Sequence, residues 1–90
     1  MNLGLKAAVR EKRRAVRQRT RLRPGRLFDT ANRFLVDCAF HDISATGARV
    51  RLMDDREIPA TLLILDVREL ATKRARVAWR KERDLGLQYF

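Results

Sequence analysis

The chain has 90 residues, one cysteine, one histidine and a net charge of +10, with 46% hydrophobic residues. That is room for one small domain with a modest core, too apolar for wholesale disorder, and too poor in cysteine for a disulfide framework or a zinc site. No apolar run approaches the ~20 residues of a membrane-spanning helix, and Met1 to Val9 lacks a secretory apolar core, so a cytoplasmic protein is expected.

The charge is concentrated at one end. Residues 1–26 hold ten Lys/Arg against the single acid Glu11, an excess of nine; residues 27–90 hold eleven against ten, an excess of one. A basic arm (residues 1–23) on a near-neutral body (residues 24–90) predicts an anionic partner. Within the arm, Leu5, Ala8 and Val9 share one side of a short helix over Leu3 to Arg14. Arginines then recur almost every second position to Arg23, and their self-repulsion predicts a flexible segment. Pro24-Gly25 reads as the boundary, with the body beginning after it.

The body has strand periodicity. Phe34, Val36, Cys38 and Phe40 alternate with Leu35, Asp37, Ala39 and His41, so the first set is expected to face inward. Asp42 to Gly47 forms a turn, and Ala48, Val50 and Leu52 alternate with Arg49 and Arg51 in a strand returning along the first. A polar loop from Asp54 to Pro59 precedes a short apolar strand, Thr61 to Leu65. A loop or brief helical turn follows at Val67 to Leu70. Ala75, Val77 and Trp79 alternate with Arg74, Arg76 and Arg80, which places Trp79 in the core. After a charged turn at Lys81 to Asp84, Leu85, Leu87 and Tyr89 supply the last inward face, and Phe90 falls on the other side. Five or six such strands at this spacing predict an antiparallel sandwich or a small closed barrel.

Catalysis finds little footing, and an enzyme is not expected. Cys38 and His41 fall on opposite faces of one strand, so they cannot form a nucleophile–base pair. The turn Asp42-Ile43-Ser44-Ala45-Thr46-Gly47 is chemically richer. Asp42 and Ser44 stand one residue apart, which in extended chain sets them on one side. Gly47 permits a positive φ for a tight reversal. A carboxylate can accept the N1–H and amino hydrogens of a guanine, although Asp and Ser here also suit a plain hairpin cap. Arginines four apart, such as Arg13 and Arg17, can bracket a compact ligand with two phosphates, but Arg10/Arg14, Arg17/Arg21 and Arg19/Arg23 share that spacing.

The arginine element Arg13-Arg14-Ala15-Val16-Arg17, followed by the Asp42 to Gly47 turn between amphipathic strands and by Trp79 and Leu85 to Phe90 downstream, resembles the PilZ domain family. The resemblance implies a six-stranded antiparallel barrel that receives the second messenger cyclic di-GMP. It implies that Arg13 and Arg17, helped by Arg14, hold guanine and phosphate. It further implies that Asp42 and Ser44 read a guanine and that Gly47 shapes the turn. A downstream protein is expected as the partner that meets the arm, ligand and barrel together. Arg17/Arg21 is the alternative register. No metal or other cofactor is expected. The competing expectations are a barrel used only for protein contacts and nonspecific nucleic-acid binding by the arm. The latter is disfavoured because most of the six aromatics occupy inward positions.

Overall fold

The computed structural model describes residues 23–90. Six antiparallel strands make up this part of the chain: β1 (Arg23–Phe28), β2 (Phe34–Ile43), β3 (Gly47–Leu52), β4 (Thr61–Asp66), β5 (Ala71–Lys81) and β6 (Asp84–Tyr89). They close into a barrel in the order β1-β2-β3-β6-β5-β4, with β4 returning to β1. Closure gives each of these strands two neighbours, so the barrel has no free sheet edge. The expected helix over Leu3 to Arg14, and the residues Arg13, Arg14, Arg17 and Arg21, lie outside the described residues.

Alternation builds the core. Leu27, Val36, Cys38, Phe40, Val50, Leu52, Leu62, Ile64, Ala75, Leu85 and Leu87 fill the interior. Cys38 is among them, and burial together with the Asp37 charge pushes its thiol up to about 12, so it packs as a small apolar residue. Where the chain reverses, backbone is placed in the left-handed region at Asn32, Leu70 and Glu82.

Pro24-Gly25 is not a boundary but part of β1. Gly25 faces inward, where an added Cβ would lie 2.7 Å from Cε2 of Phe40 and 3.1 Å from Sγ of Cys38. The glycine makes room for the Phe40 ring. Pro24, with no N–H to offer, stands exposed near the start of the strand, and its carbonyl accepts from Val67 N–H at 3.2 Å. Arg23 opens β1 and is already committed. Its guanidinium donates to Asp66 from Nη2 at 2.6 Å and from Nε at 3.1 Å. The Arg19/Arg23 spacing therefore ends on a residue held by the barrel.

The register shifts in three places, and each reverses a face. Between Leu27 and Phe28 of β1, the partner moves from Val36 to Phe34. Phe34 thus leaves the inward set and is 53% exposed, its ring edge-on to Phe28 at 5.9 Å. Between Phe40 and Asp42, the partner moves from Val50 to Arg49, carrying Asp42 outward. Between Val77 and Trp79, the partner moves from Leu87 to Gly86. Trp79 is consequently not a core residue; it lies on the outer surface, 46% exposed.

Candidate functional site

Two of those shifts aim side chains at one place. A shallow cleft of about 630 Å³ runs over the outer face of β3, β6 and β5, lined among others by Asp42, Ser44, Gly47, Arg49, Trp79 and Gln88. The volume lies within the usual range for small-molecule sites. Asp42 and Trp79 would both have faced the core under strict alternation. An extra residue ahead of each, His41 and Ala78, turns them to the cleft.

The turn at the cleft's end is held by Ser44. Its Oγ accepts from the N–H groups of Thr46 and Gly47, each at 3.2 Å, and its hydroxyl lies 3.3 Å from the Gly47 carbonyl. The Ser44 N–H donates to that same carbonyl at 2.9 Å. The Thr46 carbonyl accepts from Tyr89 N–H at 2.9 Å, tying the turn to β6. Ser44 therefore builds and stiffens the loop in which its hydroxyl is already engaged.

Gly47 serves the turn in another way than expected. Among the described residues, no glycine has a positive φ. An added Cβ at Gly47 would instead stand 2.1 Å from the Leu87 carbonyl oxygen. Gly47 is required by the close approach of β3 to β6, and this draws the turn down onto the barrel wall.

Asp42 is partly buried, and its carboxylate lies 3.4 Å from Nε of Arg49, itself half exposed. The Trp79 ring lies over the backbone of Gly86, where a Cβ would come within 2.1 Å of its Nε1. One indole face thus rests on the barrel and the rest is open to solvent. Beyond it, Arg76 donates to the Gln88 side-chain carbonyl. The cleft combines the Asp42 carboxylate, the Arg49 guanidinium and an exposed aromatic surface, a set that can hydrogen-bond and stack on a planar polar ligand. Among the described residues, no three His, Cys, Asp or Glu side chains gather as a metal-ligand set.

Of the residues singled out in the sequence, Asp42, Ser44 and Gly47 come together here. Arg49 and Trp79 join them without having been expected at the site. A sequence signal for Trp79 exists: Gly86 sits between Leu85 and Leu87, so an outward position opposite the Trp79 region lacks a side chain. Such a gap on a barrel wall invites a covering ring.

β1 begins beside the site. Arg23 pairs with Phe40, two residues before Asp42 on the neighbouring strand. Comparison of the chain with protein-family models, curated proteins and solved structures found no match.

Proposed function

We propose that this protein is a non-catalytic receptor for cyclic di-GMP, with the outer cleft as the barrel's share of the site. The supporting observation is the convergence of Asp42 and Trp79, turned outward by two separate register shifts, on a cleft of about 630 Å³. Bulges that re-aim single side chains are characteristic of functional positions. The resemblance to PilZ domains, carried by Arg13-x-x-x-Arg17 and the Asp42 to Gly47 turn, supplies the ligand class.

In this reading Asp42 accepts the N1–H and amino hydrogens of one guanine, in part exchange for Arg49. The indole of Trp79 offers a stacking surface for a purine. Ser44 and Gly47 hold the turn in place, and Arg13, Arg14 and Arg17 bring the cations for phosphate and for the guanine O6/N7 edge. Ligand binding draws the arginine-rich segment against the barrel and presents a composite surface to a downstream protein.

Isothermal titration of the full chain with cyclic di-GMP at physiological salt, with GTP as control, tests the reading. Saturable heat with the cyclic dinucleotide alone is expected. Asp42→Asn should weaken binding by roughly ten- to a hundredfold, the cost of losing a charged acceptor. Trp79→Ala should weaken it by about tenfold, in line with the loss of one stacked base. Absence of heat and of any thermal shift would sink the receptor reading and leave a protein-contact module in its place.

A further inference from the structure

β5 carries five basic residues, Lys73, Arg74, Arg76, Arg80 and Lys81, and no acid. Arg80 meets a carboxylate, that of Asp55 at 3.3 Å. Three of the others rest on neutral groups. Lys73 Nζ stands 5.1 Å above the Tyr89 ring, the Arg74 guanidinium 5.2 Å above the Phe90 ring, and Arg76 holds the Gln88 carboxamide. Among the described residues these three cations meet no carboxylate, so a neutral partner fixes their direction without neutralising their charge.

The outer face orders these groups in rows. Trp79 pairs with Gly86, Arg76 with Gln88, and the Phe90 N–H donates to the Arg74 carbonyl at 3.0 Å. Along the wall the sequence of groups is therefore an aromatic ring, a guanidinium, then a guanidinium stacked on a second ring. From Gly86 to Phe90 is four residues, about 13 Å of strand. Phe90 is 72% exposed and Trp79 46%. The expectation that most aromatics face inward fails here, because Phe34, Trp79 and Phe90 are all exposed.

Interleaved open rings and uncompensated guanidinium groups are the surface a single-stranded nucleic acid requires. Phosphates sit on the cations and unpaired bases stack on the rings. A duplex keeps its bases stacked inside and would leave both rings idle. An acidic peptide would use the cations but not the rings. We infer that the outer face of β5, between Trp79 and Phe90, is a binding site for single-stranded nucleic acid. This goes beyond the cyclic di-GMP reading and touches it only at Trp79.

Trp79 is the sole tryptophan of the chain, so its fluorescence reports stacking at this face. The full-length protein is titrated with a short labelled oligothymidylate, which has no guanine for Asp42 to read. Anisotropy follows total binding and Trp79 emission follows contact with the face. Saturable quenching is expected, whereas inorganic polyphosphate should bind the basic arm without quenching. The double variant Arg74→Ser/Arg76→Ser should weaken oligothymidylate binding at least tenfold. It should also reduce the slope of log affinity against log salt by about 1.4, because two phosphates are no longer neutralised. Phe90→Ala should weaken binding severalfold. Asp42→Asn should leave oligothymidylate binding unchanged while weakening cyclic di-GMP binding, so the two readings fail separately. Anisotropy rising without quenching, or a double variant that binds as well as the parent, would overturn the inference. Arg74, Arg76 and Phe90 are exposed and Asp42 is partly buried, so an unchanged unfolding midpoint in each variant confirms that the fold is intact.

Discussion

The wall formed by β1 and its neighbours and the wall formed by β5 and β6 handle positive charge in opposite ways. Around β1 each arginine meets a carboxylate: Arg23 with Asp66 at 2.6 Å, Arg26 with Asp37 at 3.4 Å, and Arg33 with Asp29 at 3.0 Å. On β5, Lys73, Arg74 and Arg76 are backed by Tyr89, Phe90 and Gln88 instead. The body's near balance of charge in the sequence conceals this division. One wall neutralises its own arginines; on the other, Arg80 meets Asp55 while Lys73, Arg74 and Arg76 rest on neutral groups. The bulge that exposes Trp79 is on the second wall.

The largest break in this arrangement is expected at the seam of the second wall. Gly47→Ala would force a Cβ to within 2.1 Å of the Leu87 carbonyl oxygen, and backbone on one side must move. A loss of about 3 kcal/mol in urea unfolding is expected, at the upper end for overpacking. At Gly86 the nearest obstacles to an added Cβ are atoms of the Trp79 ring, which can swing away. Gly86→Ala should cost about 1 kcal/mol and shift Trp79 emission to the red. Equal costs at the two glycines would contradict the difference between a backbone and a side-chain obstacle.

Next in size is the anchor of the first wall. The Arg23 and Asp66 side chains are 21% and 14% exposed. Burial pushes the Asp66 carboxyl up, but the Arg23 hydrogen bond and charge and the Glu69 and Arg68 N–H groups bring it below its ordinary value. Asp29 is lowered as well, chiefly by the Arg33 N–H. A depressed carboxylate stabilises the fold above its unfolded pKa of about 4, and that contribution disappears as pH falls through the lower folded value. Stability should therefore decline below about pH 4. Asp66→Asn should remove about 2 kcal/mol at pH 7, between the values for exposed and buried pairs, and should flatten the acid limb. An acid limb as steep in the variant as in the parent would assign it to other carboxylates.

The two walls are also unequally legible in the sequence. Alternation locates β2 to β6 because inward residues such as Val36, Cys38, Val50, Leu52, Leu85 and Leu87 recur with the pleat. β1 escapes it because Pro24 and Gly25 are the usual breakers, and the reason for Gly25 is a Phe40 ring arriving from another strand. Phe34 and Trp79 share one cause of misreading. A single extra residue inverts every face beyond it, and nothing in local periodicity marks where that residue falls. The turn chemistry of Asp42 to Gly47 is visible as residues, and the Ser44 brace is local to it, but the role of Gly47 as spacer depends on the Leu87 backbone of the neighbouring strand.

The smallest expected effects sharpen the comparison most directly, because they differ in sign. Arg26 and Asp37 are both more than half exposed, so Arg26→Ser should cost no more than about 0.5 kcal/mol. Arg76 lies among other cations, with Arg74 two residues away on the same face. Arg76→Ser relieves repulsion and loses only the Gln88 contact, so it should be neutral or stabilising by a few tenths of a kcal/mol. Raising salt to about 1 M shortens the screening length to about 3 Å and should erase both effects. In the parent, the same salt should weaken the ion-paired wall and ease the cationic one. Urea unfolding of the two variants at low and high salt measures this. If Arg76→Ser destabilises as much as Arg26→Ser at low salt, then Arg76 is held by a favourable field, and the cations of β5 are not in reserve for a ligand.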